Sequence, residues 1–193
     1  MVTIAQHYEN MLVIKQSKFI AHLVPFYMYK TLLEELKLKH PKARHFVTAF
    51  RYLNELDQIV EGSSDDGEPR GTSGKPTLAV LQGNELINIA VITVRYFGGT
   101  KLGTGGLVRA YGDATNLVVE NAELSEYKKE FTEQFTCKYS VLQLVEYELE
   151  QCGITRVEKS FEADKVQCTI VSDAISLENF FIKVKRTVEK CDA

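Results

Sequence analysis

The chain has 193 residues, of which 45% are hydrophobic and 25% charged, with a formal net charge of −3 at pH 7. These proportions are typical of a globular protein, and the length admits one large domain or two small ones. An isoelectric point near 5.9 argues against a dedicated nucleic-acid binder, which usually has a basic stripe. The most apolar run, residues 86–94, is too short to span a membrane. No secretory signal pattern is visible at the start, so we expect a cytoplasmic protein without a membrane segment.

The first part of the chain alternates between strand-like and helix-like segments. Period-two patterns of apolar residues indicate strands, and apolar residues recurring every three or four positions indicate helices. The predicted strands are 11–15, 18–24, 45–53 and 86–94, and the predicted helices are 29–39, 75–81 and 107–121.

A different pattern begins near residue 124 and predicts a second domain. Its order is strand, helix, two hairpin strands and helix, at 126–137, 140–151, 154–161, 165–171 and 177–189. A ferredoxin-like unit closes with one more strand, which the pattern does not contain. We therefore predict domains 1–123 and 124–193, with a second sheet that has three strands or borrows a fourth from another chain. The predicted core of that domain is Phe131, Phe135, Leu142, Val145, Ile154, Val157, Ile170, Phe180 and Val184.

The most distinctive segment is the glycine-rich stretch 95–109, in which five of fifteen residues are glycine. It lies between a predicted buried strand and a predicted helix. Glycine lets the backbone approach another group closely, and the unpaired N–H groups of a helix start can face an anion. The stretch matches neither the Walker A loop nor the dinucleotide pattern. It predicts a site for an anion, for RNA or for a close backbone partner, and the alternative is a tight connection with incidental basic residues. The candidate residues are Arg95, Gly98, Gly99, Lys101, Gly103, Thr104, Gly105, Gly106 and Arg109.

An acidic turn precedes the second predicted helix. Asp65, Asp66 and Glu68 place three carboxylates within four residues, and oxygen ligands of this kind hold Mg²⁺. A solvated turn is the favoured interpretation, because Asp, Gly, Pro and Ser are the usual turn residues. We expect no other cofactor. Arg70 and Lys75 follow the turn and join the candidate anion- or RNA-binding residues.

Histidine and cysteine positions predict neither catalysis nor a local zinc site. All four cysteines lie in the last third of the chain, and all four histidines lie in the first 45 residues. His45 lies in a strand-like run of aromatic residues, where a hydrogen-bonded core histidine is the favoured interpretation over a catalytic base. No Ser-His-Asp or Cys-His arrangement is visible.

Two long motifs resemble one protein family. Residues 65–76 and 95–111 resemble, in order and spacing, the YigZ/IMPACT family. Residues 15–21 resemble its N-terminal motif, and residues 43–49 resemble the segment that carries its histidine, here His45. The resemblance implies an α+β fold: an N-terminal domain like the second domain of ribosomal protein S five, and a ferredoxin-like C-terminal domain like the last domain of elongation factor G. The missing last strand departs from that pattern.

The resemblance also implies a function linked to translation. The eukaryotic relative acts in translational control by interfering with activation of a kinase that phosphorylates an initiation factor, whereas bacterial members have no settled activity. We therefore expect a regulatory or binding protein rather than an enzyme, which contacts RNA, the ribosome or a translation-associated protein through the glycine-rich basic loop.

Two alternatives to this function stay open. One is an enzyme acting on a phosphorylated small molecule, with Lys101 and Arg109 on phosphate, the carboxylates on Mg²⁺ and His45 as base. The other is a structural partner without a small ligand. If the chain is a binding protein or an enzyme, the acidic turn and the glycine-rich loop should face each other across one pocket. Asp65, Asp66 or Glu68 would then pair with Arg95, Lys101 or Arg109, or share a metal. The oligomeric state, the substrate and the RNA target are not determined by these patterns.

Overall fold

A computed structural model describes residues 1–191 and divides into two units with separate hydrophobic cores. The first unit comprises Met1–Tyr127 and the second begins at Lys128. The elements of the first unit are β1 (Val2–Thr3), β2 (Tyr8–Ile14), β3 (Ser17–Pro25), α1 (Tyr29–Lys39), β4 (His45–Leu53), β5 (Ile59–Ser64), α2 (Gly74–Gly83), β6 (Ile89–Tyr96), α3 (Thr104–Glu120) and β7 (Ser125–Glu126).

Five antiparallel strands form the main sheet of the first unit, in the order β2-β3-β6-β4-β5. The central strand β6 is buried along almost its whole length, because helices cover both of its faces. Ile92 and Val94 pack with α1 on one face. Val91 lies on the other face, in the larger core that includes residues of α2 and α3. Strands covered on both faces are continuously apolar, which explains why β6 is the most apolar run of the chain.

Strand β5 was not predicted from the sequence. Its residues, Ile59 to Ser64, include a glycine and two serines, which are poor strand formers. Gly62 is paired with Phe50 of β4, and a Cβ at Gly62 would lie 2.3 Å from the Phe50 ring. The missing side chain therefore makes room for an aromatic ring on the neighbouring strand.

The second unit is an antiparallel sheet packed against two helices. Its elements are β8 (Glu130–Lys138), α4 (Leu142–Gln151), β9 (Arg156–Phe161), β10 (Lys165–Asp173), α5 (Ala174–Val184) and β11 (Val188–Lys190). The strand order is β11-β8-β10-β9, which is the order of a complete ferredoxin-like unit. The α+β fold with two domain-like units is thus as expected.

The sequence predicted that the sheet of the second unit has three strands or borrows a fourth from another chain. This prediction is wrong, because the chain supplies the fourth strand itself. Helix α5 ends at Val184, five residues earlier than expected, and β11 pairs with the edge of β8 through Val188 opposite Cys137. Three residues are too few to show a period-two pattern, and they follow the helix after a turn closed by Thr187 on Val184. The sequence pattern therefore continued the helix through the closing strand.

One predicted core residue of the second unit is exposed. Phe131 is 40% accessible, because it lies near the start of β8 and borders an open groove with Leu177 and Phe181. Phe135, four residues further along the same face of β8, is fully buried. No helix within residues 1–191 is long and apolar enough to cross a membrane.

Candidate functional site

All four motif segments meet at one edge of the first sheet, the edge that is formed by the ends of its strands. Strands β3 and β4 begin at this edge, and β5 and β6 end there, since Lys18 pairs with Tyr96 and His45 with Arg95. Helices α2 and α3 follow β5 and β6 and therefore both begin at the same edge. They pack against each other on one face of the sheet. Antiparallel pairing thus gathers segments that are far apart in the chain.

A buried ion pair joins the acidic turn to the glycine-rich segment. Glu68 Oε1 accepts hydrogen bonds from Arg95 Nη1 and from the Tyr111 hydroxyl, the latter at 2.8 Å. The guanidinium of Arg95 lies 5.3 Å from the centre of the Phe19 ring, and that ring meets Tyr111 edge-on. The predicted pairing of a carboxylate with a basic residue across the two segments is confirmed by this contact.

The same contact corrects the expectation for Arg95. Arg95 is 5% exposed, so its charge is engaged inside the protein and is not presented to an external anion. Burial raises the pKa of Tyr111, and the negative charge and hydrogen bond of Glu68 raise it further. Tyr111 therefore acts as a neutral hydrogen-bond donor, which a buried carboxylate requires.

Asp65 binds the start of helix α2. Its Oδ2 accepts from the Gly71 N–H at 2.7 Å, and its Oδ1 accepts from the N–H groups of Ser73 and Gly74 and from the Ser73 hydroxyl. Burial raises the pKa of Asp65, but these hydrogen bonds outweigh it and lower the pKa to about 2. An ionised carboxylate thus neutralises the positive end of α2.

Asp66 faces strand β4 instead. Its Oδ2 accepts from the Phe46 N–H at 2.6 Å, and its backbone carbonyl accepts from His45 Nδ1 at 2.8 Å. Gly67, with φ of 84°, lies against the His45 ring. His45 is therefore partly buried and holds the backbone of the acidic turn.

The three carboxylates proposed as Mg²⁺ ligands are not gathered at one point. Asp65 is bound to α2, Asp66 to β4, and Glu68 to Arg95. Within residues 1–191, a group of three metal-type ligand atoms that lie within 4.8 Å of one another occurs elsewhere. The acidic turn thus uses its carboxylates to hold the protein together.

The glycine-rich loop is anchored on the turn between β2 and β3. A Cβ at Gly98 would lie 2.1 Å from the carbonyl carbon of Gln16, so only glycine fits at this position. The Gly98 N–H donates to Ser17 Oγ at 3.1 Å, across 81 residues of chain. Gly99 and Gly103 have φ of 85° and 72°, a backbone region that favours glycine.

The start of helix α3 is open to solvent. Gly103 precedes the helix, and no side chain among residues 1–191 caps it. Nothing lies within 4 Å of a Cβ built on Gly105. Lys101 and Arg109 are exposed beside it. The two helix starts therefore differ: α2 is capped by Asp65, whereas α3 presents free N–H groups and two cations.

The remaining candidates surround these two helix starts. Exposed cations flank α2 at Arg70 and Lys75, and Thr104 is exposed in the first turn of α3. Gly106 is partly covered by Leu102. Of the basic candidates, Arg70, Lys75, Lys101 and Arg109 are exposed, and Arg95 is buried.

Sequence reasoning did not single out Ser17, Phe19 or Tyr111. All three lie inside the recognised motifs, but nothing in the local pattern distinguishes Ser17 or Phe19 from ordinary strand residues. The available signal was Tyr111 itself, a hydroxyl on the apolar side of an amphipathic helix, which needs a buried partner.

Fold and site together define a protein of two α+β units, in which four motifs support an open, basic helix start on the first unit. Residues 15–119 match the family model described as the Impact N-terminal domain. The chain therefore belongs to the IMPACT family.

Relatives along most of the chain agree with this assignment. The chain is 40% identical over 155 residues to an IMPACT family member of Haemophilus influenzae, covering 78% of this chain and 75% of that protein. Against the IMPACT family member YigZ of Escherichia coli the identity is 39%, with the same coverage. A solved crystal structure of a hypothetical protein superposes with a TM-score of 0.68 at 30% identity, covering 100% of this chain and 96% of that one.

Proposed function

We propose that this chain is a cytoplasmic, translation-linked regulatory or binding protein that contacts phosphate groups of RNA, free or in the ribosome, through the start of α3. The observation that carries the proposal is the uncapped helix start at Gly103, flanked by exposed Lys101 and Arg109. The link to translation comes from the role of the eukaryotic relative in the family.

The chemistry of the helix start favours a phosphate. Its free N–H groups and the helix dipole attract anions, and Lys101 and Arg109 add two positive charges. Asp65 supplies an internal anion at α2, so that α3, of the two helices that begin at this edge of the sheet, is the one available to an external anion.

Buried contacts support the loop from beneath. The contact of Gly98 with Gln16 and the buried Glu68–Arg95 pair hold the beginning of the segment, and the Tyr111 hydroxyl on Glu68 holds helix α3 after it. A held loop pays less conformational entropy on binding than a flexible one. This supports a preformed contact surface.

Charge distribution favours a local contact over an extended one. Residues 1–122 carry thirteen Lys/Arg and twelve Asp/Glu, and the rest of the chain carries ten and fourteen. A nearly neutral first part and an acidic remainder leave few cations for a long nucleic-acid track. Few phosphate contacts give a shallow dependence on salt.

The alternative of a phosphate-handling enzyme is less well supported. It requires Asp65, Asp66 or Glu68 to bind Mg²⁺ and His45 to act as a base. Each of these side chains is engaged by other protein groups.

The test is a charge reversal in the loop. Lys101→Glu and Arg109→Glu should weaken binding of a labelled single-stranded RNA and co-sedimentation with purified ribosomes. Each should also lower the slope of log affinity against log salt by about one. Lys37→Glu is the matched control, because Lys37 is exposed on α1, which covers the opposite face of the sheet.

Two results decide the proposal. Loss of binding in the loop variants with unchanged circular dichroism, and intact binding in Lys37→Glu, is the expected outcome. Equal binding by all three variants and the parent chain would remove the loop from the contact surface.

A further inference from the structure

Two histidines and a glutamate meet on the β2–β3 hairpin, away from the glycine-rich loop. Glu9 of β2 is directly opposite His22 of β3 in the antiparallel register. His7 precedes Glu9 by two residues, and side chains two apart share a face of an extended chain. Strand pairing therefore brings His7, Glu9 and His22 together, although the histidines are 15 residues apart.

The distances between these side chains match a metal-ligand set. His7 Nε2 lies 3.1 Å from His22 Nδ1, and Glu9 Oε2 lies 3.4 Å from the same nitrogen. All three ligand atoms lie within 4.8 Å of one another. Tetrahedral Zn²⁺, bound at about 2.0–2.1 Å, places neighbouring ligand atoms about 3.3–3.4 Å apart.

Hydrogen bonds between these side chains cannot satisfy all three ligand atoms at once. One proton at most lies between His22 Nδ1 and its neighbours: either His22 Nδ1 donates to one of His7 Nε2 and Glu9 Oε2, or His7 Nε2 donates to His22 Nδ1. Three lone-pair atoms thus converge where one proton is shared between them. A divalent cation would interact with all three at once.

We propose that His7 Nε2, Glu9 Oε2 and His22 Nδ1 bind one Zn²⁺ ion, with solvent as the fourth ligand. Two imidazoles and one carboxylate are a known ligand set for zinc, and imidazole ligands favour zinc over Mg²⁺ or Ca²⁺. His7 and Glu9 are exposed, so the ion enters from solvent and keeps an open coordination position.

The ligands on the two strands differ in exposure to solvent. His22 is 1% exposed and fixed within β3, whereas Glu9 is half exposed on the edge strand β2. A bound ion would therefore tie the edge strand and the residue before it to the interior of the sheet. It should raise the midpoint of thermal unfolding of the first unit, because it binds only the folded hairpin.

The experiment titrates the full-length, tag-free chain with ZnCl₂ by isothermal calorimetry and follows Co²⁺ substitution by visible absorption. The variants are His7→Gln and Glu9→Gln, whose exposed positions should leave folding intact. His45→Gln is the matched control, because it removes a histidine that lies outside the cluster. The four free cysteines are the competing ligands, and Co²⁺ bound to thiolate has its own ultraviolet charge-transfer band.

The expected result is one Zn²⁺ per chain, an affinity reduced at least about tenfold in each of the two variants, and no change in His45→Gln. The Co²⁺ complex should show tetrahedral or five-coordinate bands without the thiolate band. The proposal is overturned if the parent chain binds no Zn²⁺, if both variants bind as the parent does, or if the thiolate band accompanies the bound ion.

Discussion

Glu68 and Arg95, which lie 27 residues apart in the chain, form an ion pair in which both side chains are almost inaccessible to solvent. The pair joins the acidic turn to the end of β6, and the Tyr111 hydroxyl of α3 donates a second hydrogen bond to the same carboxylate oxygen. Removing one partner of a buried pair leaves the other charge uncompensated, which costs more than the pair itself contributes.

We therefore expect Glu68→Gln to lower the free energy of unfolding by about 3–5 kcal/mol, measured by urea denaturation followed by circular dichroism. The double variant Glu68→Gln with Arg95→Met should recover part of that loss, because no charge is then left buried. Glu85→Gln is the control, since Glu85 is 78% exposed beside the N-terminus and should change stability by at most about 1 kcal/mol. A loss in Glu68→Gln as small as in the control would contradict the assigned role of the pair.

Gly98→Ala should displace or destabilise the glycine-rich loop. The added Cβ would lie 2.1 Å from the backbone of Gln16, which cannot move without opening the β2–β3 turn. Gly112→Ala should instead stabilise the protein, because nothing lies within 4 Å of a Cβ built at this position inside helix α3. Alanine is there preferred over glycine by about 0.5–1 kcal/mol. A thermal midpoint of Gly98→Ala equal to or above that of the parent chain would count against the tight contact at Gly98.

Stability of the first unit should fall in acid through Asp65. The pKa of Asp65 is lowered from 3.8 to about 2 in the folded chain, so the folded state holds the proton less tightly than the unfolded state. Its contribution is complete above about pH 4 and is lost as the pH falls toward 2. Asp65→Asn should remove this part of the acid dependence and, as a weakened cap, cost about 0.5–2 kcal/mol at neutral pH. Parallel stability profiles for both chains between pH 5 and 2 would be inconsistent with this assignment.

We predict that the first unit folds alone when the chain ends at Tyr127. Ser125 and Glu126 pair with Thr3 and Val2 in a separate two-stranded sheet of the first unit. The Tyr127 N–H donates to the Met1 carbonyl. A chain ending at residue 123 lacks these contacts and should unfold at a lower temperature. Amide dispersion in NMR spectra and thermal unfolding test both chains. Poor dispersion for residues 1–127 would mean that the second unit is needed for folding.

Most elements followed from local patterns. Helix α1 and strand β4 have the bounds that the apolar periodicity predicts, because their buried faces repeat at the spacing of a helix or a strand. The glycine-rich stretch likewise indicated that its backbone approaches another group closely and that a helix begins there. Strands β5 and β11 were missed, since a glycine- and serine-containing strand and a three-residue strand carry no such periodicity.

The tertiary structure decided which side chains within the protein pair with each other. The sequence predicted that a carboxylate of the acidic turn meets a cation of the glycine-rich segment, but strand register determined that Glu68 meets Arg95 while Asp65 caps α2. Register also placed Glu9 opposite His22, a ligand cluster that no local spacing showed. Periodicity reports which side of an element is buried, whereas the group that a buried charge meets depends on a strand or helix formed elsewhere in the chain.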